Sequence, residues 1–274
     1  MFDKFEGVVQ RGSPEEFLLR QIDFHRLPRH IAVIMDGNGR WANRRDKPRV
    51  SGHRAGAVSV RETVETAARL GIQYLTLYAF STENWKRPRL EVDTLMRLLR
   101  QYLTQELDTM MRNDIRFRSM GRREDLSPRV RRDIERAELQ TAANGGMLLT
   151  VALNYSGRAE LVDACRRIAA EVAATGRDPA SISDADVERN LYSPEVPDPD
   201  LLIRTSGEMR VSNFMLWQIA YTEIHVTETL WPDFRQQQLF EAIVEFQKRE
   251  RRYGAVAPSL EPGDRPVAAR QGGR

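Results

Sequence analysis

The sequence is short of the residues that staple small proteins or build metal clusters. It has one cysteine, Cys165, and four histidines among 274 residues. A single thiol excludes an intramolecular disulfide and any multi-cysteine zinc site. Cys165 lies in the helical pattern LVDACRRIAAEVAA and is expected to be a thiol of the core. His25 and His225 have no partners at metal-ligand spacing, so structural or surface roles are expected of both. No run approaches the ~18 apolar residues of a membrane span. The N-terminal MFDKFEGVVQRGSPEEF carries charges where a secretory signal needs an apolar core. An excess of one charge is also missing, with 42 basic residues against 39 acidic and a net charge of +3. A nucleic-acid binder shows a one-sided surplus, so the pI near 9.2 does not make nucleic acid a partner. RVRRDIERAE mixes signs at helical spacing and reads as a solvated face, and KRERRY reads as an exposed helix end. These absences describe a cytoplasmic protein that touches a membrane, if at all, through its surface.

What is present is a core and a regular alternation. Hydrophobic residues make up 41% of the chain, enough for a sizeable interior. Short apolar runs read as strands over 31–35, 72–80, 115–121, 147–155, 201–205 and 223–229. Helical patterns cover 52–70, 89–113, 127–143, 156–174, 183–191 and 235–251. Alternation of this kind predicts a single α/β domain over 28–254, built on a mostly parallel sheet flanked by helices. Residues 1–27 form an extension with one amphipathic piece, PEEFLLRQIDF. The tail 255–274, rich in Pro, Gly and Arg, reads as disordered.

Parallel sheets place ligands at the carboxyl ends of their strands. Those ends are polar here: MDGNGR, FSTENW, NYSGR and RTSGE. In HIAVIMDGNGRWA a strand runs into a glycine loop that matches a dinucleotide fingerprint, G-x-G-x-x-[GA]. The acidic residue that such a site needs about twenty positions later is missing. Asp36 instead precedes the first glycine, where it would repel a phosphate. A Mg²⁺ ion between them resolves the conflict, because Mg²⁺ takes one or two carboxylates plus phosphate oxygens. The alternative is that Asp36 caps a turn or helix. Arg40, Arg49, His53 and Arg54 follow closely and can neutralise remaining charge. In FSTENWKRP, Ser81, Thr82, Asn84 and Arg87 follow directly on a strand, part of them as a helix cap. RTSGEMRVSNF sets Arg204, Arg210 and Ser212 around a Gly turn as a second phosphate cradle. Two cradles on one edge imply two phosphorylated substrates.

These stretches, with SGHRAG, ALNYSGR, AYTEI, LWPDF and RERRYG, resemble the cis-prenyltransferase family, specifically its bacterial undecaprenyl diphosphate synthases. The D-D-x-x-D signature of the unrelated trans-prenyltransferases is absent. The resemblance implies a six-stranded, mostly parallel sheet, a homodimer and a Mg²⁺ cofactor. It implies condensation of isopentenyl diphosphate onto an allylic diphosphate such as farnesyl diphosphate, giving a long cis-polyprenyl diphosphate. In that reading Asp36 binds the metal, and Gly37, Asn38, Gly39 and Arg40 hold the allylic diphosphate, with Arg49, His53 and Arg87 nearby. Arg204, Arg210 and Ser212 would hold isopentenyl diphosphate, and Glu223 would be a second metal ligand. Asn84, beside Ser81, matches the position that relays a proton, and Trp41 and Trp85 would pack on substrate. Thr82, Glu83 and Val211 fall within the same substrate-binding stretches.

The helix after FSTENWKRP carries Val92, Leu95, Met96, Leu99, Leu103, Leu107 and Met110 on one stripe. Such a stripe is ordinary core packing or, by the resemblance, one wall of a tunnel whose entrance the small Ala79 leaves open. Two rivals remain. A non-catalytic subunit of the same fold is disfavoured because Asp36, Arg40, Arg87, Arg204 and Arg210 are all present. A Rossmann nucleotide-binding module is disfavoured because the ribose carboxylate is missing.

Overall fold

The structure, a computed structural model, describes residues 2–249. The tail 255–274 and most of RERRYG lie outside the described residues. Six strands form one sheet in the order β3-β4-β2-β1-β5-β6. In chain order they are β1 (His30–Ile34), β2 (Tyr74–Ser81), β3 (Arg116–Met120), β4 (Leu148–Tyr155), β5 (Leu201–Arg204) and β6 (Glu223–Val226). Every neighbouring pair is parallel, where the sequence predicts only a mostly parallel sheet. The central strand β1 is buried along its whole length, which is why it reads as a continuous apolar run. Alternate residues face opposite sides: Ile31 and Val33 join the large core, Ala32 and Ile34 the smaller one.

The helices are α1 (Pro14–Gln21), α2 (Asn38–Asn43), α3 (Arg49–Leu70), α4 (Arg89–Gln105), α5 (Leu107–Arg112), α6 (Pro128–Gln140), α7 (Gly157–Thr175), α8 (Asp184–Glu188) and α9 (Gln236–Lys248). Three departures from the sequence reading have local causes. The helix expected over 89–113 breaks at Glu106, whose buried carboxylate turns inward to accept Arg61 of α3, both oxygens at 2.9 Å from Nε. The glycine loop does not stay a loop, because Gly37, at φ 104°, turns the chain directly into α2. Cys165 is exposed and not a core thiol: α7 buries Gly157, Glu160, Ala164 and Ile168, and Cys165 lies about 100° around the helix from Ala164.

SGHRAG serves close approach. A Cβ on Gly52 would come within 1.9 Å of the Asn38 carbonyl oxygen, and one on Gly56 within 2.5 Å of the Asn38 side chain. One turn apart, these glycines let α3 lie against α2 and hold the first strand-end loop. The N-terminal extension also packs on the body. Phe5, Leu19 and Ile22 are buried, and the Phe5 ring meets Phe240 of α9 edge-on at 5.7 Å.

His30 opens β1 wholly buried, with Nδ1 2.6 Å from the Pro197 carbonyl oxygen and Nε2 2.8 Å from the Thr76 hydroxyl. A carbonyl only accepts, so Nδ1 carries the proton and Nε2 accepts from Thr76. Burial drives its pKa from the usual 6.5 down to about 4. The unfolded chain therefore takes up a proton first. The stability linked to His30 is complete above pH 6.5 and is lost as pH falls towards 4, a change of about 3 kcal/mol. Urea unfolding of native and His30→Gln protein at pH 7.5 and 4.5 checks this. The native protein should lose more stability between the two pH values, by about that amount.

Candidate active site

The parallel register Ile34↔Arg204 brings the ends of β1 and β5 side by side. Immediately beyond, the fully buried Thr205 accepts the Asp36 N–H at 2.8 Å and donates to the Asp36 carbonyl at 2.6 Å. The same carbonyl also accepts from Trp231 N–H at 2.9 Å. The backbone of residue 36 is thus fixed from two sides. Leu230 lies so close to Gly37 that a Cβ there would meet it at 2.9 Å. This accounts for two stretches at once, RTSG supplying the hydroxyl and LWPDF the wall.

The Asp36 carboxylate, about one-third exposed, accepts from Gly37 N–H at 2.6 Å and from Arg204 at 2.9 Å. Arg204 is almost wholly buried and also donates to Ser212 Oγ at 2.7 Å and to the Arg210 carbonyl. Burial pushes its pKa below the usual guanidinium value while Asp36 pulls it up. Both readings of Asp36 survive, since it pairs with its own loop and still offers an oxygen edge to the opening.

Two glutamates beyond the sequence-predicted set organise the remaining cations. Glu208 reaches Arg40 at 3.0 Å and also pairs with Arg210. Arg40 further donates to the Ser206 carbonyl at 2.9 Å. Glu91, in the first turn of α4 and buried, faces Arg87 at 3.0 Å, His53 at 3.5 Å and Arg49 at 3.9 Å. Burial, and next the charge of Arg87, lower the pKa of His53, so its imidazole is neutral at pH 7. Ser81 and Asn84 form a capping box at the start of the 3₁₀ turn 82–86, with Asn84 Oδ1 accepting from Ser81 N–H at 3.3 Å.

One cavity of about 460 Å³ joins these groups to the interior. Its mouth carries Asp36, Asn38, Arg49, His53, Ser81, Asn84, Arg87, Arg204, Arg210 and Ser212. Its depth is apolar, lined by Val60, Leu77, Ala79, Leu95, Met96, Leu99, Leu103 and Phe117. Part of the α4 stripe therefore faces open space and not only packed core.

Other predicted residues stand apart. Trp41 donates to Asp233 and lies under Arg45, and Trp85 stacks edge-on against Phe80 while donating to Asn154 at 2.7 Å. Glu83 accepts from Asn213, Thr82 begins the 3₁₀ turn, and Val211 packs into the smaller core. Glu223 opens β6 in register with Leu201, the first residue of β5, so it lies at the amino edge of the sheet. There it pairs with Arg249 at 2.8 Å, and the chain does not bring it to Asp36. His225, for which a structural or surface role is expected, is mostly buried against Glu245. Among the described residues no three His, Cys, Asp or Glu side chains form a metal-ligand set. A cation at Asp36 therefore needs further oxygens from a ligand and water, which matches Mg²⁺ carried with a diphosphate. No described helix is long and apolar enough to cross a membrane. Thr205, Glu91 and Glu208 escape sequence reasoning because part of what each organises lies far away in the chain: Asp36 for Thr205, Arg49 and His53 for Glu91, Arg40 for Glu208. Thr205 and Glu208 carried the one available signal, lying inside RTSGEMR.

A parallel α/β fold with a cationic edge opening into an apolar cavity defines an enzyme for anionic substrates with hydrocarbon tails. The family described as "Putative undecaprenyl diphosphate synthase" matches residues 34–254. The isoprenyl transferase of Heliobacterium mobile is 53% identical over 251 residues, covering 91% of this chain and 96% of the relative. That of Chlorobaculum tepidum is 50% identical over 238 residues, covering 87% and 90%. A crystal structure of lavandulyl diphosphate synthase from Lavandula x intermedia, in complex with dimethylallyl diphosphate, superposes with a TM-score of 0.81. It is 36% identical, with 83% of this chain and 98% of that one covered. This chain belongs to the undecaprenyl diphosphate synthase family of cis-prenyltransferases and is a prenyl-transferring enzyme.

Thr205→Val keeps the volume of the buried side chain and removes both hydrogen bonds to residue 36. A loss of about 0.5–1.5 kcal/mol in stability is expected, because the Asp36 N–H keeps only its bond to the Ile34 carbonyl. Prenyl transfer should fall at least tenfold, read from denaturant unfolding and from incorporation of labelled isopentenyl diphosphate.

Proposed function

We propose that the protein condenses isopentenyl diphosphate onto farnesyl diphosphate, repeatedly and with cis double bonds. The product is undecaprenyl diphosphate, the carrier-lipid precursor for cell-wall synthesis. The observation that carries this reading is the continuity of one cavity from paired phosphate-binding groups to an apolar interior. The dimethylallyl diphosphate in the lavandulyl synthase structure supports an allylic diphosphate as the first substrate.

The allylic diphosphate is held at the first cradle by the loop Gly37–Arg40 together with Arg49, His53 and Arg87. Neutral His53 contributes a ring N–H without a proton from solvent. Isopentenyl diphosphate is held at Arg204, Arg210 and Ser212. As the allylic C–O bond breaks, charge grows on the departing diphosphate, so groups that tighten on its oxygens lower the barrier. Bound at Asp36, Mg²⁺ supplies further stabilisation of that charge. Asn84 orients the new bond and the departing proton. An amide is too weak a base to keep that proton, so it passes to a phosphate oxygen. Burial of each five-carbon unit gains roughly 3–4 kcal/mol, at about 0.8 kcal/mol per methylene-sized group, which draws elongation forward.

Asp36→Asn preserves the shape of the side chain and removes its charge. Turnover of farnesyl and isopentenyl diphosphates should drop about 10²–10³-fold, as for loss of one electrostatic group in a transition state. Near-native turnover would remove the metal assignment. Ala79→Leu fills the cavity beside β2 and should shift product mass to shorter chains, as mass spectrometry of the extracted lipid would show. An unchanged mass distribution would place the chain elsewhere.

A further inference from the structure

We infer that Glu91 is a positioning residue: an internal counter-ion that holds Arg49, His53 and Arg87 in place for the leaving diphosphate. The inference rests on reading these three groups as the allylic cradle. Each of them lies within 4 Å of the one carboxylate, whose side chain is 8% exposed. Arg49 and His53 belong to α3, Arg87 follows the 3₁₀ turn, and Glu91 belongs to α4. One anion therefore draws three separately supported groups to a common point. Without it, two guanidinium groups would repel each other at the mouth, and water would hold them in many arrangements.

The charges indicate what such a residue costs and contributes. With His53 neutral, the cluster sums to +1 with Glu91 and +2 without it. Glu91 therefore opposes diphosphate in the ground state. Its contribution is geometric, because donors fixed in advance need not reorganise as charge moves onto the leaving group. A residue acting this way lowers affinity slightly and raises turnover. A residue that only anchors α4 would instead alter stability, leaving the balance between binding and turnover in place.

The test is Glu91→Gln in the full chain. The expected result is a kcat at least tenfold lower, with KM for farnesyl diphosphate unchanged or reduced. Glu91→Asp, which keeps the charge, should recover kcat to within about threefold of native, and it also serves if the Gln variant fails to fold. A kcat within twofold of native in Glu91→Gln, a rise in KM alone, or an Asp variant no better than Gln would overturn the proposal. Proton NMR of His53 gives a readout that helix anchoring would not move. Glu91 raises the His53 pKa, so Glu91→Gln should lower it further, and an unchanged value counts against the contact. Titrating the native protein with inorganic pyrophosphate tests the cradle separately. The His53 pKa should rise as phosphate charge is added beside Glu91, and no movement would instead sink the cradle reading.

Discussion

The pairing of Asp36 with Arg204 across two adjacent parallel strands is the constraint on which the site depends. Arg204 is almost wholly buried, and a guanidinium there without a partner would cost about 3–5 kcal/mol. Asp36 removes that penalty at 2.9 Å, and Ser212 Oγ and the Arg210 carbonyl take further donors. The same contact ties the first cradle to the second, because Arg204 carries the 210–212 turn with it. The sheet register supplies the distance, since a one-residue slip would turn Arg204 to the other face. Thr205 and Trp231 then fix the backbone of residue 36, so the carboxylate cannot move away to satisfy Arg204 alone.

Every principal arginine of the site, and the neutral His53, rests against an internal carboxylate. Arg204 has Asp36, Arg40 and Arg210 share Glu208, and Arg49, His53 and Arg87 share Glu91. A dense cluster of arginines held this way neither repels itself nor collapses onto solvent. A diphosphate carries more charge than any one of these carboxylates and presents several oxygens at once. It can therefore dock against arginines that these carboxylates already hold near their final positions. The arrangement also explains why so many charges near the glycine loop fail to make the chain strongly basic.

The fold was legible because β1, β4 and β5 are buried along their whole length and read as plain apolar runs, as IAVIM and MLLTVALNY do. Helix ends were less so. The break at Glu106 answers to Arg61, forty-five residues away, and leaves no mark on local periodicity. Cys165 lay inside an apolar-looking pattern, but the buried line of α7 runs through Gly157, Glu160, Ala164 and Ile168 and leaves the thiol outside. The cations of the site were visible as residues following strands. Of their counter-ions only Asp36 was singled out, because Glu91 looks like any acidic residue in the first turn of a helix. Glu223 was named from its motif position alone, and strand register puts it at the amino edge of the sheet, paired with Arg249.

The two walls of the cavity differ in kind, and that difference bears on the proposed elongation. Leu77, Ala79, Val151 and Leu153 come from β2 and β4, strands hydrogen-bonded to neighbours on both sides. Such a wall cannot yield without breaking a ladder. Leu95, Met96, Leu98 and Leu99 come from α4 and are half-buried, held by side-chain packing alone. Unbranched and branched apolar side chains of this sort exchange rotamers at small cost, methionine most easily. A lengthening hydrocarbon therefore finds room by repacking the helical side. That freedom has an end, because Glu106, where α4 stops, is clamped to Arg61 of α3 by a bidentate pair. Under the proposed elongation the sheet would set where the chain enters, and the tether between the two helices would limit how far they part around it.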